Sequence, residues 1–244
     1  MAFLKVDHAA VIASGTSNYI KTSGIYTVKL NHVEIAPTSG GATQANYLCD
    51  NIMAYGQIVA NKEGKTTDKN GKKLSGYGAI EALAVILGTE DENGNPGFAD
   101  PESTSVKFSK ATKDLMCLPG IDGDEVKVWV QFEYQKYKGE IKERINVKRF
   151  YRESDGASGS EISLAAKAAE DGTIVPADKA AGTQLAKDEV YASEVKYTDS
   201  SKGAGDAPTE TEVAAWKKAQ AGGNAATAST ASAPAKPKNN PFAK

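Results

Sequence analysis

The strongest constraint on the fold is an alternating segment near the middle of the chain. From Val126 to Tyr134 every second residue is apolar, and the residues between are polar apart from Trp129. This period of two is typical of a β-strand with one buried face. A polar loop at 138–140 then reverses the chain into a second such segment, Ile141 to Arg152. The pattern predicts a long β-hairpin.

Three strands and one helix are predicted before this hairpin. The first strand, 25–35, changes the parity of its apolar residues between Leu30 and Val33, which indicates a bulge. The next two strands are predicted at 43–51 and 53–61. A helix is predicted over 77–87, because apolar residues recur there at helical spacing and a glycine follows as the C-cap.

The remaining segments have weaker patterns. Residues 90–104 are acidic and rich in turn formers, so we expect no regular element there, while 105–108 is compatible with a short strand. An alanine-rich helix is predicted at 162–169, and 171–198 gives no clear assignment. The predicted organisation is an N-terminal extension at 1–22, a folded domain at 23–165, a peripheral extension at 166–198, and a flexible tail at 199–244 with a short helix at 209–220.

The order of three strands, one helix and a hairpin indicates a mainly β domain. A sheet this short must protect its edges, and curling into a small barrel with the helix at one end does so. This is the order of the oligonucleotide/oligosaccharide-binding (OB) fold. We therefore expect a five-stranded, partly open barrel with one capping helix, extra short helices and a disordered C-terminal tail.

Charge along the hairpin predicts a nucleic-acid partner, although the net charge of the chain is −2. Residues 126–152 contain eight basic and three acidic side chains. Alternation assigns several cations and two aromatic rings to the outer face, which suits phosphates and unstacked bases. A solvated strand face that discourages edge pairing would have similar cations. The candidate single-stranded DNA-binding residues on the hairpin are Lys127, Trp129, Lys142, Arg144, Lys148, Phe150 and Arg152.

A lysine-rich loop at 61–75 flanks the expected groove. It contains five lysines against Glu63 and Asp68. Phosphate contact and simple solvation both fit such a loop. The candidate DNA-binding residues in it are Lys62, Lys65, Lys72 and Lys73.

The chain resembles the phage-encoded single-stranded DNA-binding proteins. The resemblance covers about residues 20–165 and depends on the order and spacing of six stretches: 23–28, 74–77, 128–130, 137–140, 149–151 and 155–161. It implies sequence-independent protection of single strands during phage DNA replication and recombination, in the cytoplasm of the infected host. Members of this family commonly end in an acidic tip with Pro-Phe that recruits replication proteins. Pro241 and Phe242 echo that tip, but lysines replace the acidic neighbours.

Other classes of function find little support in the sequence. The two histidines and the widely spaced Cys49 and Cys117 form no metal-ligand motif, and no catalytic set is present, so we expect neither enzyme activity nor a cofactor nor a metal. No apolar run is long enough for a membrane span, and a soluble, cytoplasmic protein is expected. Two alternatives stay open: a phage structural or interaction protein, and a strand-annealing recombination mediator. A homo-oligomer is compatible with either.

Overall fold

The computed structural model describes residues 20–50, 52–108, 111–137, 139–199 and 207–222. The described residues divide into two compact units, one up to residue 208 and one from residue 209 onward. The strands are β1 (Gly24–Pro37), β2 (Thr43–Cys49), β3 (Ile52–Ala60), β4 (Glu102–Lys107), β5 (Thr112–Cys117), β6 (Asp124–Tyr137), β7 (Glu140–Arg152) and β8 (Lys196–Asp199). The helices are α1 (Ser75–Leu87), α2 (Gly159–Glu170), α3 (Thr183–Glu189) and α4 (Glu210–Gly222). The mainly β class is confirmed.

The described strands form one sheet in the order β4-β5-β1-β2-β3-β7-β6-β8. An additional pairing joins β1 to β6, so β1, β2, β3, β7 and β6 follow one another in a ring of pairings. Within this ring every pairing is antiparallel except that of β3 with β7, which meet in parallel at the single pair Tyr55 and Asn146. The sheet is therefore strongly curved and stays partly open at this seam.

Strand β1 is bent by a bulge between Leu30 and His32, where the change of parity predicts it. Residues Gly24–Leu30 pair with β6, and Leu30–Pro37 pair with β2. The predicted β6–β7 hairpin is confirmed, with antiparallel pairing from Val126 with Arg152 to Tyr137 with Glu140 and one bulge within it.

The core lies on the concave side of the sheet. Strand β6 turns its alternate apolar side chains inward, and all of them are buried: Val126, Val128, Val130, Phe132 and Tyr134. From the neighbouring strands and α1 they meet Leu30, Val33, Tyr47 and Leu83, each at most 1% exposed. Removing this apolar surface from water is the main force that closes the sheet.

Strands β5 and β8 were not predicted, and β4 is longer than the short strand expected at 105–108. The described sheet therefore has eight strands, whereas five were expected for the barrel. Strand β4 begins at Glu102 within the segment expected to be irregular, and β5 completes a second hairpin with it. Their residues are largely polar, and the small cluster of Val106, Cys117 and Leu48 is what they bury. Strand β8 adds to the edge of β6 in parallel, with Tyr197 stacked on Tyr134 at 6.0 Å.

Several predictions fall wholly or partly outside the described residues. This holds for residues 1–19 of the N-terminal extension and for 200–206 and 223–244 of the tail. Within the tail, α4 occupies the segment where the sequence predicts a helix. Its Glu212 carboxylate accepts hydrogen bonds from the backbone N–H of Thr209 at 2.8 Å and from its hydroxyl at 3.2 Å.

Helix α1 approaches β3 very closely because residue 76 is glycine. A Cβ there would lie 2.4 Å from the carbonyl oxygen of Gln57 and 2.5 Å from that of Ile58. Two residues along the same helix, Gly78 has no atom within 4 Å of an added Cβ. At the other end Gly88 ends the helix in the left-handed region, with its N–H bonded to Ala84.

We predict that Gly76→Ala lowers the free energy of unfolding by about 1–3 kcal/mol, because the backbone of β3 must move away from the new methyl group. Gly78→Ala is the matched control and should leave stability unchanged or raise it by up to about 1 kcal/mol, since alanine favours the helix. Urea unfolding of both variants measures the difference. Equal stabilities would contradict the close packing of α1 on β3.

Candidate nucleic-acid interface

A bulge in β7 determines which side chains reach the outer face of the hairpin. Trp129 pairs with Arg149 and Val130 pairs with Val147, so Lys148 is an extra residue. Before the bulge the odd-numbered residues of β7 face the core, and after it the even-numbered ones do. Lys148 and the neighbouring Arg149 therefore both lie on the outer side.

The predicted position of Phe150 on the outer face is wrong because of this bulge. Phe150 is 2% exposed and packs edge-on against Tyr47, with ring centroids 4.9 Å apart. Strict alternation through Ile145 and Val147 assigns it to the wrong side. The aromatic ring thus belongs to the core and is not presented to a ligand.

The outer face beyond the bulge is covered by α3. The carboxylate of Asp188 forms an ion pair with the guanidinium of Arg149 and accepts hydrogen bonds from Tyr151 Oη at 2.6 Å and Gln184 Nε2 at 3.0 Å. Burial, together with the hydrogen bond to Asp188, raises the pKa of Tyr151. The charge of Arg149 is therefore compensated inside the protein.

Two of the predicted cations hold the turn between β7 and α2. The ammonium group of Lys127 donates a hydrogen bond to the carbonyl oxygen of Glu153. Arg152 forms an ion pair with Asp155 at 2.6 Å, and this hydrogen-bonded contact lowers the pKa of Asp155 to about 2. Both cations have a structural partner, although Arg152 also remains partly accessible to solvent.

The segment of β7 before the bulge has an open outer face, which we call the open face: Lys142, Arg144, Asn146 and Lys148. All three cations are exposed, and neither Arg144 nor Lys148 forms an ion pair with a described residue. The nearby acid, Glu133, accepts hydrogen bonds from Asn146 Nδ2 at 2.8 Å and Thr198 Oγ1 at 2.7 Å. The open face is thus cationic, and its acidic neighbour is already satisfied.

Trp129 lies at the boundary between the open face and the part covered by α3. In register it stands between Ile25 of β1 and Arg149 of β7. The residue is half-buried, and its indole N–H is buried without a hydrogen-bond acceptor among the described residues. Only part of the ring is accessible for stacking, which is less than the alternating pattern predicts.

The lysine-rich loop forms two tight turns at the end of β3. Lys62, Lys65, Lys72 and Lys73 are all exposed. Lys65 pairs with Glu63 at 3.2 Å, and Lys73 pairs with Glu81 at 2.7 Å, which raises the pKa of Lys73 through a hydrogen bond. Lys62 and Lys72 form no ion pair with a described residue.

The predicted site residues therefore form two groups rather than one. Strands β3 and β7 are parallel, and Arg144 lies two residues before the Tyr55–Asn146 pair whereas Ala60, which precedes the loop, lies five residues after it. This offset of seven residues corresponds to roughly 23 Å along the strands at about 3.3 Å per residue. The candidate tail residues Pro241 and Phe242 lie outside the described residues.

No protein-family model matches the sequence, and no curated protein matches it.

In the described part of the chain no three His, Cys, Asp or Glu side chains are grouped as a metal site requires. No helix there has the length and apolar composition needed to span a bilayer. The two cysteines are free thiols.

One carboxylate connects α3, which covers the outer face, to the neighbouring helix α2. Glu161 of α2 accepts hydrogen bonds from the backbone N–H of Ser158 at 2.8 Å and of Gln184 at 2.7 Å, so it caps the N-termini of both α2 and α3. Thr183 Oγ1 adds a third bond at 2.8 Å. Burial alone would raise the pKa of Glu161, but these hydrogen bonds outweigh it and lower the pKa.

We predict that Glu161→Gln lowers the free energy of unfolding by about 1–2 kcal/mol at neutral pH, because two helix caps lose their charged acceptor. Since the folded-state pKa is depressed, the contribution is present above the ordinary value of 4.5 and is lost as the pH falls below it. The gap between variant and parent should therefore shrink in acid. Glu170→Gln, at the exposed end of α2, is the control, and a gap independent of pH would contradict the assignment.

Proposed function

We propose that this chain binds single-stranded DNA without sequence preference and protects it during phage DNA replication and recombination. The observation that carries the proposal is the open face, where Arg144 and Lys148 are exposed and form no ion pair with a described residue. The nearby Glu133 carboxylate accepts its hydrogen bonds from Asn146 and Thr198 instead. Cations that form no ion pair with a described residue remain available to phosphate oxygens. The phage context comes from the resemblance of the sequence to phage-encoded single-stranded DNA-binding proteins.

We further propose that the curved sheet is an OB-type barrel. The ring of pairings β1-β2-β3-β7-β6, with α1 following the third strand and a parallel seam between β3 and β7, supports this. In this interpretation the hairpin β4–β5 is an insertion between α1 and the fourth barrel strand, and β8 is an addition at the edge. OB folds bind extended oligonucleotides along their strands and adjoining loops.

Affinity in this proposal comes mainly from phosphates. The net charge of −2 gives the chain no general attraction for DNA, so binding depends on the local cations. Contacts to phosphates are independent of sequence and weaken with salt, because each neutralised phosphate releases condensed counterions. The accessible part of Trp129 adds stacking of one base at the boundary of the open face.

The test is fluorescence anisotropy of a labelled oligo-dT and of a matched duplex at two or more salt concentrations. We expect tighter binding to the single strand, with an affinity that falls as salt rises. Arg144→Gln/Lys148→Gln should weaken binding about tenfold at low salt and reduce the salt slope by roughly 1.4, at about 0.7 for each lost phosphate contact on a single strand.

The control is Lys107→Gln/Lys113→Gln, which removes two exposed lysines from the β4–β5 hairpin and changes the net charge equally. It should behave like the parent protein. If the two double variants lose affinity equally, the open face is not the site. If the parent protein binds neither DNA form at low salt, the proposed function is wrong.

A further inference from the structure

The same backbone turn occurs three times in the structure, at 61–65, 68–72 and 91–95. In each, Oδ1 of the first residue accepts hydrogen bonds from the backbone N–H groups of the third and fifth residues, at 2.8–3.0 Å. The first residue's N–H donates to the carbonyl oxygen of the fifth. The fourth residue is a glycine with φ of 77° or 78°.

The turn itself requires only the first and fourth residues. Asn61, Asp68 and Asp91 supply the oxygen, and glycine supplies the positive φ. These backbone bonds do not need the side chains at the second and fifth positions, although Asn95 Nδ2 adds a long contact of 3.5 Å to Asp91 Oδ1. In the turn at 91–95 they are glutamate and asparagine, whereas both turns of the loop have lysine at each: Lys62, Lys65, Lys69 and Lys72.

The turn at 91–95 shows what the lysine turns at 61–65 and 68–72 need in order to fold. Because the turn at 91–95 forms with Glu92 and Asn95, lysine is not needed to make this turn. The repeat of lysine at both positions in two turns seven residues apart therefore has a different cause. If these side chains served only solubility, a charge of either sign would suffice, and the turn at 91–95 has a glutamate at its second position.

The charges of these two turns are mostly uncompensated. Lys62, Lys69 and Lys72 are exposed and form no ion pair with a described residue. Of the two acids, Glu63 pairs with Lys65, and Asp68 uses its Oδ1 to bind two backbone amides. The backbone N–H groups at the third, fourth and fifth positions are already bonded inside the turns. The ammonium groups, and not these backbone N–H groups, are therefore what the turns offer to an anion.

We propose that the two lysine turns, 61–65 and 68–72, form a second phosphate-binding subsite for the same single strand that lies on the open face. This rests on the proposed function and adds the path of the DNA to it. The strand runs along the seam of β3 and β7, where the end of β3 lies roughly 10 Å beyond Lys148 and roughly 23 Å beyond Arg144 along these strands. Hydrogen bonds already hold the backbone of both turns. Little backbone conformational entropy is therefore lost when phosphates bind.

The test uses the full chain and compares an oligo-dT of about 6 nucleotides with one of about 20, within and beyond the roughly 4–16 nucleotides that one OB fold covers. The variant is Lys69→Gln/Lys72→Gln, and Lys107→Gln/Lys113→Gln is the control with equal charge loss. For the longer strand, the turn variant should reduce the salt slope by roughly 1.4 relative to the parent. The gain in affinity from short to long strand should also shrink in this variant alone.

The outcomes separate the two proposals. If the parent protein binds single-stranded DNA and the turn variant keeps the parental salt slope and length dependence, the second subsite is wrong. The proposed function is unaffected by that result. A parent protein that binds no single strand overturns both. Circular dichroism and thermal melting should match the parent, since glutamate and asparagine occupy the same positions in the turn at 91–95; a folded variant with unchanged binding is decisive against the subsite.

Discussion

Strand β6 is hydrogen-bonded on both edges, and the rest of the fold depends on this. Its first half pairs with β1 on one edge, its last residues pair with β8 on that same edge, and β7 runs along the other for its whole length. A strand held on both sides has one register, so its alternate side chains from Val126 to Tyr134 are all directed into the core. The ring of pairings and the position of α1 follow from that buried row.

The bulge at Lys148 divides the outer face of the hairpin into two parts with different properties. Beyond it, Arg149 and Tyr151 bind Asp188, and α3 covers the sheet. Before it, Arg144 and Lys148 remain in solvent. One extra residue in β7 thus decides which cations stabilise the protein and which are available to a partner. Glu161 supports the same division, because it caps α2 and also α3, the helix that covers the sheet.

The sequence predicted the elements with a strong apolar period, namely the β6–β7 hairpin, the bulged β1 and helix α1. It failed for β5, for β8 and for the part of β4 before residue 105, because these residues are mostly polar and are held in the sheet by backbone pairing. Phe150 was misplaced since alternation alone cannot locate a bulge. The partners of Arg149 and Lys127 are set by tertiary contacts that no local pattern encodes. The Asn/Asp-x-x-Gly repeat of the lysine turns, in contrast, is readable in the sequence.

The most direct test of the binding face is a titration of the ¹⁵N-labelled protein with oligo-dT, followed by backbone amide chemical shifts. The account predicts the largest changes at Arg144 and Lys148 and in the two lysine turns, with little change in the β4–β5 hairpin. Such a pattern would map the DNA along the seam of β3 and β7. Changes confined to β4–β5 would contradict this binding face, because DNA would then bind elsewhere. Changes confined to the exposed apolar residues Ile174 and Val190 would contradict it for the same reason.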